Sequence, residues 1–149
     1  MAMNYTLEIY LQSEVEDALP MVARTREEVD SAVDRLIAAA AGFNHNPAMH
    51  VAEGPKWNDM PDHGLRLDID PRARMAALRY YGPDDEGAQV SLSEPAPAHA
   101  PQLYRDIDSA TPFPANAAIT LDQFRAAVHE FRESGGLRPT CVRWQPADE

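Results

Sequence analysis

Tyr5, Leu7, Ile9 and Leu11 alternate with Thr6, Glu8, Tyr10 and Gln12, the two-residue period of a strand that buries one face. A short apolar piece, Met21 to Ala23, follows an acidic loop over 13–17 and reads as a second strand. The period then changes. Thr25-Arg26-Glu27-Glu28 has the form of a capping box, and Val29, Ala32, Val33, Leu36, Ile37 and Ala40 follow at helical spacing up to Gly42, which is placed to end the helix. From Asn44 onward short strand-like runs are separated by Pro, Gly and Asp: 48–53, 65–70, 75–81 and 88–93. Asp70-Pro71-Arg72-Ala73 turns the second of these into the third as a hairpin, and 82–87 is a further turn that continues an antiparallel meander. Residues 93–101 and 111–114 carry enough proline to read as irregular. Thr120-Leu121-Asp122-Gln123 is a second capping box, with Phe124, Ala127, Val128 and Phe131 as one apolar helical face. Gly135-Gly136 stops that helix, Pro139 forbids its return, and 140–145 reads as a closing strand. The pattern predicts one α+β domain over residues 1–149, a mainly antiparallel sheet with two main helices packed against it.

Composition adds a charge to this outline. The 149 residues are 44% hydrophobic and 25% charged, ordinary for a globular chain and outside the range of disordered or fibrous ones. Thirteen basic residues face twenty-four acidic ones, a formal charge of −11, split as −6 over residues 1–75 and −5 over 76–149, so no acidic tail accounts for it. Charge of that sign repels nucleic acid and anionic membranes, and a charged macromolecular partner should be basic. The single cysteine, Cys141, excludes an intrachain disulfide and suits a reducing compartment. Residues 1–11 lack the layout of a signal peptide, and the longest apolar stretch, 36–42, is far too short to span a bilayer, so the expected location is the cytoplasm.

Candidate chemistry is sparse. The histidines at 45, 50, 63, 99 and 129 have no metal-ligand spacing and no Cys motif beside them, so neither a metal site nor a cofactor is expected. His129 reads as a surface or boundary residue. His63, in Pro61-Asp62-His63-Gly64, has an acid beside it, but a satisfied histidine in a turn is the simpler reading. Cys141 reads as a buried, inert thiol in the closing strand. Asp68 and Asp70 alternate with Leu67 and Ile69 and read as a solvated strand face. Gly135-Gly136 follows a helix instead of opening one, opposite to a phosphate-binding loop. No catalytic constellation emerges, and the chain is not expected to be an enzyme.

The last third carries a pattern. Phe113-Pro114, then 118–121, then 125–131, then Ser134-Gly135-Gly136-Leu137-Arg138-Pro139-Thr140-Cys141-Val142-Arg143-Trp144-Gln145 resembles the carboxyl end of immunity family 1 of bacterial polymorphic toxin systems. Pro61-Asp62-His63-Gly64-Leu65-Arg66 is similar to that family's Pro-Asp-His-Glu-Leu-Arg pattern and departs from it at Gly64, while 77–80 and the acidic helix over 29–37 also match. The likeness spans residues 25 to 145. It implies an antitoxin that protects a toxin-producing cell by binding a cognate toxin, commonly a zinc-dependent nucleic-acid deaminase, without catalysis of its own. The motif residues also have structural readings: Gly135-Gly136 as a helix cap, Pro139 as an extended entry to the last strand, Trp144 as core filler and Arg138 as partner of a core carboxylate.

A deaminase of that class needs a basic groove for phosphates and a pocket for the extruded base. An acidic protein can compete for the groove, with an apolar anchor to slow dissociation. The expected partner contacts are therefore Trp57, Asp59, Met60 and Asp62 in the 56–62 loop, Asp84, Asp85 and Glu86 in the following turn, and Tyr104, Asp106 and Asp108 as a third group. The leading reading is an antitoxin that occludes the active site or substrate groove of a cytosine deaminase. Alternatives are an antitoxin of the same family against a nuclease or other toxin, and a small enzyme or ligand-binding domain using His63 and nearby acids.

Overall fold

The alternating segments pair as their period requires. In the computed structural model, which describes residues 4–11, 20–43, 45–54, 56–58, 60–82 and 87–147, β1 (Leu7–Tyr10) lies between β2 (Met21–Ala23) and β3 (Ala48–Val51), antiparallel to both. The first helix, α1 (Arg26–Ala39), continues for three residues as a 3-10 turn to Gly42. A two-stranded hairpin, β4 (Lys56–Trp57) with β5 (Met60–Pro61), stands apart from the main sheet. Then come β6 (Gly64–Asp70), β7 (Met75–Tyr81), β8 (Gln89–Leu92), a second small hairpin of β9 (Tyr104–Asp106) and β10 (Thr111–Pro112), β11 (Ile119–Thr120), α2 (Leu121–Glu133) and β12 (Arg143–Pro146). The main sheet runs β12-β8-β7-β6-β3-β1-β2, and β11 pairs with β7 beyond the reach of β8. Its centre is the expected meander: seven residues of β6 pair with seven of β7 across the turn at 71–74, Leu67 opposite Leu78.

Both helices start where their caps stand. Thr120 and Gln123 form a complete capping box, Gln123 N–H donating to Thr120 Oγ1 at 3.1 Å and Thr120 N–H to Gln123 Oε1 at 2.9 Å. The first helix has a variant. Thr25 Oγ1 accepts from Glu28 N–H at 3.1 Å, but the Glu28 carboxylate reaches one residue further back, to the N–H of Arg24 at 2.8 Å. No described helix is long and apolar enough to cross a membrane.

Leu65, Leu67 and Ile69 of β6 and Ala76, Leu78 and Tyr80 of β7 point to the helices and meet Val29, Val33, Leu36, Phe124, Val128 and Phe131. Phe124 and Phe131 are wholly buried, each worth about 3 kcal/mol of hydrophobic stabilisation at most. The opposite face of the sheet is only partly covered. There the connection through 93–118 lays Leu103, Phe113, Ala117 and Ala118 over Ala77 and Val90 as a second, smaller core. Ser91 sits at the junction of β8 and β11: its Oγ accepts from Leu78 N–H at 3.0 Å and donates to Ala117 O at 2.6 Å, filling the gap in the ladder.

Electrostatic contacts tie the helices at Arg26 of α1, which pairs with Glu133 of α2, and at Arg125 and His129 of α2. Arg125 of α2 reaches Asp30 at 3.2 Å and Asp34 at 2.6 Å on α1, and His129 Nε2 meets Asp30 at 2.8 Å. His129, read from the sequence as a surface or boundary residue, is thus buried, at 6% exposure, because α1 crosses above it. The Asp30 carboxyl is held low, first by the hydrogen bond with His129 and then by that with Arg125.

Candidate functional site

The 134–145 part of the sequence pattern and His63 converge at the carboxyl end of α2. Gly135 and Gly136 follow its last turn with φ of +77° and +99°, and their N–H groups return to the carbonyls of Arg132 (3.1 Å) and Phe131 (2.9 Å), closing the helix as the cap reading expects. They also make room. A Cβ on Gly136 would stand 2.5 Å from the His63 ring, and one on Gly135 would stand 2.7 Å from the Tyr5 ring. His63 is fully buried, packs on Phe131, and accepts the N–H of Val51 on Nε2 at 2.9 Å, so the satisfied-histidine reading holds. Tyr80 donates its hydroxyl to Gly136 O at 3.0 Å.

The stretch between α2 and β12 is pinned by one carboxylate. Glu130 Oε2 accepts from Thr140 N–H (2.6 Å) and Thr140 Oγ1 (2.8 Å), and Oε1 from Cys141 N–H (3.0 Å). Partial burial pushes the Glu130 carboxyl up, yet these donors outweigh it and leave the group below its ordinary value. Because 140 and 141 bond to Glu130, the closing strand starts at Arg143 and not at 140. Cys141 is therefore exposed and outside the strand, contrary to the buried thiol expected. Its thiol is pushed up to about 11, by desolvation and then by the adjoining Glu130 carboxylate. Trp144 is half-buried against Tyr80 and anchors its indole N–H on Pro139 O at 2.7 Å. Arg138 is exposed. The pattern is thus chiefly a structural joint that ties helix end, sheet and last strand together.

The expected partner contacts lie elsewhere. The 56–62 segment is a β-hairpin, Lys56 opposite Pro61 and Trp57 opposite Met60, turning through Asn58 at φ 51°. Asp59, Asp84, Asp85, Glu86 and the side chains of Trp57 and Met60 lie outside the described residues. Asp62 is half-buried, and among the described residues its Oδ1 has no hydrogen-bond partner. Gly64 pairs with Tyr81, so the approach to β6 at Asp62 and the exit from β7 at Gly82 share one end of the sheet.

Tyr104, Asp106 and Asp108 occupy the partly covered face, beside Arg66. Asp106 Oδ1 accepts from the N–H groups of Asp108 (3.1 Å) and Ser109 (3.4 Å); the Ser109 side chain first, then these N–H groups and the charge of Arg66, hold its carboxyl low. Asp108 faces His45 at 3.7 Å in an exposed pair. Two residues missed in the sequence fix this segment. Buried Asn46 donates to Leu67 O (3.1 Å) and Tyr104 O (2.9 Å) and accepts Ile107 N–H (2.9 Å). Asp68, read above as solvated, is 8% exposed and accepts from Ile69 N–H and Tyr104 N–H, both at 2.9 Å. Burial pushes its carboxyl up, against those two donors. The alternation at 65–70 could not show this, since the cover comes from residues 36 positions away. An Asn before Pro47 was the only local sign of Asn46.

Among the described residues, no group of three or more His, Cys, Asp or Glu side chains is arranged to hold a metal ion. Comparison with curated protein sequences finds no match. The model of the family described as Immunity protein Imm1 matches residues 17–146, a span that takes in both helices, the whole meander, the His63–Gly136 joint and the Trp144 strand. The chain belongs to the Imm1 immunity protein family.

Proposed function

We propose that this immunity protein acts in the cytoplasm by binding a cognate toxin, a zinc-dependent cytosine deaminase of nucleic acid, and covering its active site or substrate groove. The chain performs no catalysis and needs no cofactor in this reading. Membership of an immunity family implies a toxin partner. The observation that carries the finer reading is the charge of −11, spread through the sequence and not collected in a tail. A toxin that holds phosphates has a basic groove, and carboxylates complement the same Arg and Lys side chains. The proposed contacts are the 56–62 hairpin with Trp57, Asp59, Met60 and Asp62, the turn with Asp84, Asp85 and Glu86, and the Tyr104, Asp106 and Asp108 segment.

The test is co-expression with the carboxyl-terminal domain encoded immediately upstream. Rescue of growth, with C-to-T changes in cells that carry the toxin domain alone, supports the deaminase reading. Strand cleavage in place of base change assigns a nuclease instead. In purified components, changing Asp84, Asp85 and Glu86 together to Lys is expected to slow association at least tenfold and to flatten its salt dependence. Unchanged affinity and salt dependence remove that turn from the interface.

A further inference from the structure

The connection from α2 to β12 is clamped along its length. Besides the two glycine N–H groups and the Glu130 bonds, Gly136 O accepts the Tyr80 hydroxyl at 3.0 Å, Leu137 N–H donates to Ser134 Oγ at 3.1 Å, and Pro139 O takes the Trp144 indole N–H at 2.7 Å. Gly135, Gly136, Pro139 and Val142 are buried, which leaves Leu137, Arg138, Thr140 and Cys141 as the outward side. Leu137 stands there at 49% exposure, the most exposed large hydrophobic side chain among the described residues. The turn is held through backbone groups and shaped by two glycines and a proline, so its geometry asks nothing apolar of position 137. A single exposed leucine is ordinary on a protein surface, and its surroundings decide what it means.

Those surroundings are the 54–63 segment that carries the β4–β5 hairpin. A Cβ on Gly54 would stand 2.7 Å from Gly135 O, and one on Gly136 would stand 2.5 Å from the His63 ring, so both ends of that segment are seated on the turn that presents Leu137. Asp62 precedes His63 as Leu137 follows Gly136, and the two residues flank one contact. Asp62 is half-buried, and its Oδ1 is shut off from solvent without a hydrogen-bond partner. Among the described residues its carboxylate makes neither a hydrogen bond nor an ion pair. A carboxylate partly withdrawn from water and left without donors is unfavourable, and a cation that reaches its open side from outside relieves it.

We infer that Leu137 is an apolar anchor of the toxin interface, entering an apolar pocket of the toxin whose rim carries a Lys or Arg that pairs with Asp62. The inference rests on the antitoxin reading and extends its contacts from the 56–62 hairpin to the connection between α2 and β12. Charge favours this occupant over a second copy of the chain, which would bring another charge of −11 and another Asp62 to the same place. Because the turn is pinned before binding, seating Leu137 orders little backbone. The two residues have separable effects: a desolvated apolar anchor slows dissociation, whereas a charge at the rim speeds association and makes it sensitive to salt.

The experiment uses the full chain and the toxin domain encoded upstream, with association and dissociation rates measured by surface plasmon resonance at low and high salt. Leu137→Ser is expected to speed dissociation at least tenfold with association unchanged, while the melting temperature stays within a few degrees. Leu137→Gln is the second variant if Ser unfolds the chain, with the same tenfold effect, and Leu137→Met should stay within about threefold of the unaltered rate. Asp62→Asn is expected to slow association at least threefold at low salt and to make little difference at high salt. Unchanged dissociation of the Ser and Gln variants, with the unaltered chain still binding, overturns this inference and leaves the antitoxin reading intact. Unchanged association of Asp62→Asn overturns the paired cation. No binding by the unaltered chain overturns both readings. A dimer of the chain alone in sedimentation that Leu137→Ser abolishes, with toxin affinity unchanged, assigns the turn to a second copy and also overturns the inference.

Discussion

Gly136→Ala tests whether the family pattern is structural. The backbone there has φ +99°, a region that side chains with a Cβ avoid at a cost of about 1–2 kcal/mol. The new methyl would meet His63 Cδ2 at 2.5 Å and Nε2 at 2.6 Å, well inside contact distance. His63 cannot swing away without giving up the Val51 N–H and its place on Phe131, so overpacking adds roughly 1–3 kcal/mol. The sum is about 2–5 kcal/mol, and at about 3 °C per kcal/mol for a chain of this size the midpoint should fall by roughly 6–15 °C. Thermal unfolding followed by circular dichroism measures it. Two glycines act as controls. Gly87 has φ +84°, and a methyl added there would have nothing within 4 Å, so Gly87→Ala carries the backbone cost alone, roughly 3–6 °C. Gly42 has open space and no positive φ, so Gly42→Ala should be neutral or slightly stabilising. A double variant with His63→Ala should lose less than the sum of its parts, because the clash is gone. Equal losses for Gly136→Ala and Gly87→Ala would refute the packing argument.

Three further outcomes follow from the same joint and its neighbours. Glu130→Gln puts an amide against N–H donors of Thr140 and Cys141 and should cost about 1–3 kcal/mol at neutral pH. Because the Glu130 carboxyl is held below its unfolded value, its contribution is complete above about pH 5 and is lost as pH falls through the lower folded value; urea midpoints of the unaltered chain should therefore drop more steeply between about pH 5 and 3 than those of the variant. Cys141, with its thiol at about 11, should react with a disulfide reagent at pH 8 through roughly 0.1% thiolate, about tenfold slower than an ordinary exposed thiol once the greater nucleophilicity of its thiolate is counted; Glu130→Gln should speed it, and labelling of the unaltered chain at the ordinary rate contradicts the assignment. Arg132→Met removes a buried guanidinium whose Nη1 donates to Asn4 Oδ1, Tyr5 O and Arg24 O, and should lower stability by about 2–4 kcal/mol in chemical denaturation; a loss under about 1 kcal/mol means those carbonyls find other donors.

Period and punctuation were enough to read the regular elements. Alternation at 65–70 and 75–81 with a turn between them specifies the β6–β7 hairpin, and Thr25 and Thr120 mark the helix starts, because each signal acts within a few residues of its effect. The short strands β4, β5, β9, β10 and β11 were illegible, since two or three residues have no period and their pairing is decided by what the sheet offers them. The same limit governs the side chains. His129 is buried because α1 crosses it, Asp68 because residues near 104 cover it, and Cys141 is exposed because Glu130 takes the N–H groups that a strand would have used. The sequence by itself determined the α+β class, the two capped helices, the meander, the charge of −11 and the likeness to an immunity family. Only the tertiary structure decided that the family pattern is a joint around His63 and Gly136, and that this joint holds Leu137 out to solvent. The physical reason is range: helix caps and strand alternation are local properties of the chain, whereas burial and close approach depend on which distant segment folds over them.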